Sequence, residues 1–190
     1  AMTALEQDNP PPAAVSYLRA LVDAQQTHTD AALKTLDELA RQYPDLSMIP
    51  ATAAQIAYDA GRRQEALTRA QHILRLSPSY FPAQWVQAET LLQTSPAQAF
   101  DVLRDMSEQY PEDPNVFGLL AEAAGRTGRD AWGQLARAEQ LQLEGRIDTA
   151  IRQIDSAEKV ARQSGDYAMA SRIEQRRKDF LGYRDTMQNF

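Results

Sequence analysis

The sequence predicts an all-α protein, a right-handed superhelical solenoid of about ten antiparallel helices, on three observations. Its 190 residues include 31 Ala, 19 Leu and 19 Gln against 13 Val plus Ile, a balance that favours helix over strand. A small residue on an apolar helix is followed twelve positions later by proline three times: Ala32 and Pro44, Ala66 and Pro78, Ala99 and Pro111. The pattern therefore recurs after 34 and then 33 residues. Finally, Gly61, Gly128, Gly145 and Gly165 stand where apolar periodicity stops, as expected of residues that end a helix in the left-handed conformation.

Each element has its own justification. Residues 1–11, from Ala1-Met2 to the proline run at 10–12, are expected to be a disordered linker or a cloning remnant, and 12–190 a single helical-repeat domain. The first helix is expected over 12–27. The second, 30–43, carries Ala32 and stops before Pro44, because proline cannot continue a helix interior. The third, 47–60, ends at Gly61. The fourth, 63–77, carries Ala66 and is closed by Pro78. The fifth, 80–93, brings the bulky Phe81 and Trp85 early in its length. The sixth, 96–109, opens on Ser95-Pro96 and the seventh, 113–127, on Asp113-Pro114, each an N-cap residue followed by proline at the first helical position. The eighth, ninth and tenth are expected over 130–144, 147–164 and 167–187. Short connections make neighbours antiparallel. From Gly128 to Gly145 is 17 residues, half a period, so the eighth helix should pair with both its predecessor and its successor.

Charge and motifs exclude several function classes. Twenty basic against 26 acidic side chains give a net charge of −6, the wrong sign for a phosphate-backbone binder, so no nucleic acid partner is expected. No run of eighteen apolar residues occurs, so direct membrane insertion is not expected. The chain does not open with a secretory signal pattern. Zero cysteines removes disulfides, thiolate nucleophiles and cysteine-bound zinc. The two histidines, His28 and His72, lack the His-Glu-x-x-His spacing of a zinc-protease helix, and neither a phosphate-cradling glycine loop nor a nucleophile elbow is present. Carboxylates sit at helical surface spacing, as in Glu158 with Arg162 and Glu174 with Lys178. The expectation is a chain that is no enzyme, with no catalytic residue, no metal ligand and no cofactor of its own. Nothing in the sequence sets an oligomeric state.

A 34-residue period holding two helices and short turns resembles the tetratricopeptide repeat. That resemblance implies a concave side lined by the first helix of each repeat, where segments of protein partners dock. Aligned on their prolines, the repeats project Tyr17, Met48, Gln55, Tyr58, Phe81, Gln84 and Glu122 towards that side, an aromatic and amide-rich set. Packing against the next helix is the alternative for each aromatic. The lysine and asparagine clamp of chaperone-tail-binding repeats is absent. On the last helix, Arg172, Arg176, Arg177, Lys178 and Arg184 are expected to form a polar capping face, with Tyr167, Phe180 and Tyr183 packing inward.

The C-terminal third is more specific. The stretch 138–151 (Ala-Glu-Gln-Leu-Gln-Leu-Glu-Gly-Arg-Ile-Asp-Thr-Ala-Ile), then Gln153-Ile154-Asp155-Ser156-Ala157 and Arg172-Ile173-Glu174, resembles the end of periplasmic zinc metallopeptidases of the beta-barrel assembly-enhancing protease type. In that family a catalytic domain is followed by a tetratricopeptide domain. The resemblance implies a periplasmic recognition module whose partners are outer-membrane barrel-assembly components, substrates or the cognate protease domain, with zinc held only by the catalytic domain. The reading that competes with it is a free-standing scaffold or adaptor, cytoplasmic, with no protease attached.

Overall fold

The computed structural model describes residues 11–188, so the expectation for residues 1–11 lies almost wholly outside the described residues. Among the described residues there are ten helices and no strand: α1 (Pro12–Gln25), α2 (Thr29–Gln42), α3 (Met48–Asp59), α4 (Arg63–Leu76), α5 (Phe81–Thr94), α6 (Pro96–Gln109), α7 (Pro114–Arg126), α8 (Asp130–Leu143), α9 (Ile147–Gln163) and α10 (Tyr167–Gln188). The chain divides into two compact units, Ala1–Thr90 and Leu91–Phe190, with the boundary inside α5.

Two kinds of turn join the helices. After α2, α4 and α6, the residues preceding proline, Tyr43, Ser77 and Tyr110, leave the helical region, with ψ between 64° and 80°, because the following proline ring disfavours helical backbone there. After α3, α7, α8 and α9 a glycine takes positive φ, between 67° and 78°. The next N–H then bonds a carbonyl five residues back, as in Arg62 N to Ala57 O at 2.9 Å and Arg146 N to Leu141 O at 2.8 Å. The turn after α1 has the same bond, His28 N to Asp23 O at 2.8 Å, but the positive-φ position is Thr27, at 64°. The helix therefore stops at Gln25, two residues short of the expected end. A glycine turn where the period calls for a proline turn, after α8, explains the changed register, and α8 packs against both α7 and α9.

Capping chemistry follows the sequence unevenly. The Asp113 carboxylate accepts from Asn115 N at 2.9 Å, whereas Ser95 holds the N-cap position without a side-chain bond. An unforeseen cap is Asp166, which accepts from Met169 N at 2.9 Å.

In the first unit, Leu33, Leu36 and Leu39 of α2 bury against Ala20 of α1 and Ile49, Ala53 and Ile56 of α3. Each buried leucine or isoleucine is worth roughly 1.5–3 kcal/mol of transfer free energy. The next contact is a seam of small residues, Ala54 and Ala57 of α3, Ala66 and Ala70 of α4, closed by Val86 of α5; the four alanines are fully buried and let the backbones approach closely. Outside this seam, two ion pairs join α2 to the α4 hairpin at nearly one repeat: Arg62 to Asp30 at 2.6 Å, and Arg69 to both oxygens of Asp37 at 2.6 and 3.0 Å. In the second unit, Leu135, Ala138 and Leu141 of α8 pack with Ala150, Ile154, Ala157 and Ala161 of α9 and Ile173 and Phe180 of α10. Of the three aromatics expected inside this end, only Phe180 is buried. Tyr167 and Tyr183 are 70% and 43% exposed, since Tyr167 is the first residue of α10 and Tyr183 lies near its far end.

Candidate functional site

The first unit carries a groove of about 700 Å³ between α1 and α3, lined by Leu21, Ala24, Thr52, Gln55, Ile56 and Asp59 among others. Its polar groups are ordered by helix periodicity. Positions 48, 52, 55 and 59 recur at three and four residues, so they share one face of α3. The Thr52 hydroxyl donates to Met48 O at 2.9 Å. Its single proton being used there, the hydroxyl of Tyr17 on α1 is the donor in the 2.7 Å contact with Thr52 Oγ1. One turn on, Gln55 Nε2 donates to Asp59 Oδ1 at 2.9 Å. On α5, Phe81, Trp85 and Glu89 are spaced by four; the two rings lie 5.8 Å apart, and the Trp85 indole donates to the Glu89 carboxylate. Burial first, and then the Asp59 carboxylate, push the Glu89 carboxyl above its ordinary range.

Of the residues expected on this side, Tyr17 bonds the groove-lining Thr52, and Gln55 lines the groove three residues further along α3. Met48, 52% exposed, opens the same stripe of α3. Tyr58 is half-buried against the alanine seam, and Phe81 stacks on Trp85. Gln84 departs from the expectation. It is buried, and its amide donates to Pro78 O at 3.1 Å, holding the loop before α5 instead of facing outwards. Glu122 belongs to the second unit, exposed and paired with Arg126 at 2.6 Å. Sequence reasoning misses Thr52, Asp59 and Glu89. The spacing of four from Met48 to Thr52, from Gln55 to Asp59 and from Trp85 to Glu89 is the available signal.

The second unit holds a cavity of about 400 Å³ bounded by α6, α7, α8 and α10. Its charges are largely spent internally. Arg176 donates to both oxygens of the buried Glu139, at 2.6 and 2.8 Å, and to Asp179 at 3.2 Å. The pairing with Glu139 raises the Arg176 guanidinium further above its usual range. Arg172 lies 4.7 Å over Trp132, whose edge meets Phe100, which in turn carries Arg129 at 4.2 Å. This is a packing ladder across three helices. Among the described residues, no group of three or more histidine, aspartate or glutamate side chains is placed to hold a metal ion, and no helix is long and apolar enough to cross a membrane.

No family model matches the sequence. Solved structures match its backbone. MamA residues 41-end from Desulfovibrio magneticus RS-1 is 19% identical and superposes with a TM-score of 0.64, over 91% of this chain and 97% of that one. A thermophilic TPR protein of Thermus thermophilus is 17% identical, with a TM-score of 0.52 over 89% of this chain and 98% of that one. The fold is the tetratricopeptide type. In tetratricopeptide terms, α1, α3 and α5 are first helices and the groove lies on their side. Among sequences, the beta-barrel assembly-enhancing protease of Escherichia coli K12 is 31% identical over 147 residues, which is 76% of this chain and 30% of that protein. The Shigella flexneri protein of the same name gives the same figures. The chain thus spans 30% of the length of these relatives.

Proposed function

We propose that this chain is a protein-interaction module and that the α1–α3 groove, continued by Phe81 and Trp85 on α5, is where a partner segment docks. The observation that carries the reading is the groove: about 700 Å³ lined by apolar, hydroxyl and amide groups, with hydrogen bonds running along its floor. Such surfaces on helical repeats accept extended or helical segments. The set on this face, Tyr17, Met48, Gln55, Tyr58 and Phe81, supplies contact area and adaptable hydrogen bonds. The chain itself takes no part in chemistry on this reading.

The 31% identity over 147 residues supports a finer reading, in which the module belongs to a periplasmic zinc metallopeptidase that recruits outer-membrane barrel-assembly components or substrates. Zinc then belongs to a separate catalytic domain. A photo-crosslinking residue at position 55 in cells tests the docking surface: adducts at Gln55 that are absent at the exposed Arg41 support it, and adducts at neither position, or equally at both, refute it. The gene upstream of Thr3 tests the finer reading. A signal peptide and a His-Glu-x-x-His segment are expected, and an immediate start codon selects the free-standing cytoplasmic scaffold instead.

A further inference from the structure

The charge on the groove narrows what it holds. No lysine or arginine lines it; the charged lining residue is Asp59, at the end of α3. Asp59 accepts from Gln55, and Glu89 from the Trp85 indole, and neither carboxylate forms an ion pair among the described residues. By contrast, three of the four carboxylates on helices α2 and α4 of the same unit, Asp30, Asp37 and Glu65, pair with Arg62 or Arg69, leaving the exposed Glu38. The second-helix side has paired most of its acids internally, whereas Asp59 and Glu89 on the groove side have no cation among the described residues.

We infer that the groove binds a protein segment that lays apolar side chains along α1 and α3 and presents a lysine or arginine to the Asp59 and Glu89 carboxylates beside Trp85. This rests on the docking reading above and adds the charge of the partner. The half-buried Glu89 carboxylate stands near a second carboxylate, a repulsion that an incoming cation relieves. Trp85 beside it offers an aromatic ring to the same cation. Residues 1–10 of this chain are a poor candidate for the occupant, because they contain Glu6 and Asp8 and no basic residue.

The test is selection from a displayed library of random dodecapeptides on the whole chain, on an Asp59→Asn/Glu89→Gln double variant and on a groove-blocking Gln55→Arg variant, each first checked for native helix content. Wild type is expected to enrich peptides in which lysine or arginine stands near apolar residues. Their synthetic versions should bind the double variant at least tenfold more weakly, and an Asp45→Asn control, in the exposed α2–α3 connection, as tightly as wild type. Peptides that are acidic or uncharged but still lost on Gln55→Arg overturn the basic partner and leave the docking groove standing. Peptides indifferent to Gln55→Arg, or no enrichment at all, overturn both.

Discussion

Arg176 on α10 grips both carboxylate oxygens of Glu139 on α8, at 2.6 and 2.8 Å, across 37 residues of sequence. Glu139 is 9% exposed, so its carboxylate oxygens depend on that guanidinium for their hydrogen bonds. Replacing Arg176 with Met leaves a buried charge without its partner, which costs about 3 kcal/mol. Replacing both residues, Arg176→Met with Glu139→Leu, removes the unpaired charge and should recover most of the loss. Urea denaturation of the two single variants and the double supplies the cycle. A single variant that unfolds at the wild-type midpoint would mean the pair is solvated and idle.

Thr27 is the one described non-glycine residue at positive φ, in a turn whose four counterparts all use glycine. A β-branched side chain in the left-handed region costs roughly 1–2 kcal/mol, offset in part by the extra unfolded-state entropy of glycine. Thr27→Gly should therefore raise stability by about 0.5–1 kcal/mol, measured as a shift in melting temperature. Thr27→Ala keeps the backbone penalty and should gain much less; equal gains would point to side-chain crowding as the cause.

How much is legible in the sequence follows from the range of each signal. Helix ends marked by Pro44, Pro78, Pro111 and the four glycines are local facts, and the observed helices fall within two residues of the expected ends. Thr27 breaks the rule because a threonine carries no left-handed signal of its own; only its alignment with Gly61 reveals the turn. Gln84 is misplaced by repeat alignment because its amide partner, Pro78 O, lies in the preceding loop and not on the helix face that such alignment describes. The pairing of Glu139 with Arg176 exceeds any spacing rule of three or four residues, so no helical pattern exposes it. The groove is half visible: Tyr17 and Gln55 stand on the expected face, while Thr52, which bonds Tyr17, and Asp59, which bonds Gln55 and gives the groove its charge, carry no aromatic or repeat signal that marks them out.

The alanine seam makes the repeat spacing testable. Ala66 has no exposed surface and sits among Ala54, Ala57, Ala70 and Val86, with no room for added methylenes. Ala66→Leu should force side chains off their rotamers and cost about 1–3 kcal/mol, and Ala99→Leu, fully buried in the other unit, should behave alike. Ala60→Leu, on an exposed position beyond α3, is the control and should change the denaturation midpoint little. Equal midpoints for Ala66→Leu and Ala60→Leu would show that the helices are spaced more widely than the seam implies.

Glu89 ties stability to pH in a defined sense. Its carboxyl is raised in the folded chain, by burial and then by Asp59, so the folded state holds the proton more tightly than the unfolded state does. The penalty is complete above the raised folded value and fades as pH falls through it towards the ordinary carboxylate range of about 4.3. Glu89→Gln removes the charge, so it should melt higher than wild type at pH 7, with the gap closing on acidification; a variant that melts lower at pH 7 would contradict the assignment. The same substitution is expected to weaken basic peptides at the groove. A residue that costs the free chain stability yet improves its partner binding is a functional carboxylate, and measuring both effects in one variant separates that role from mere surface charge.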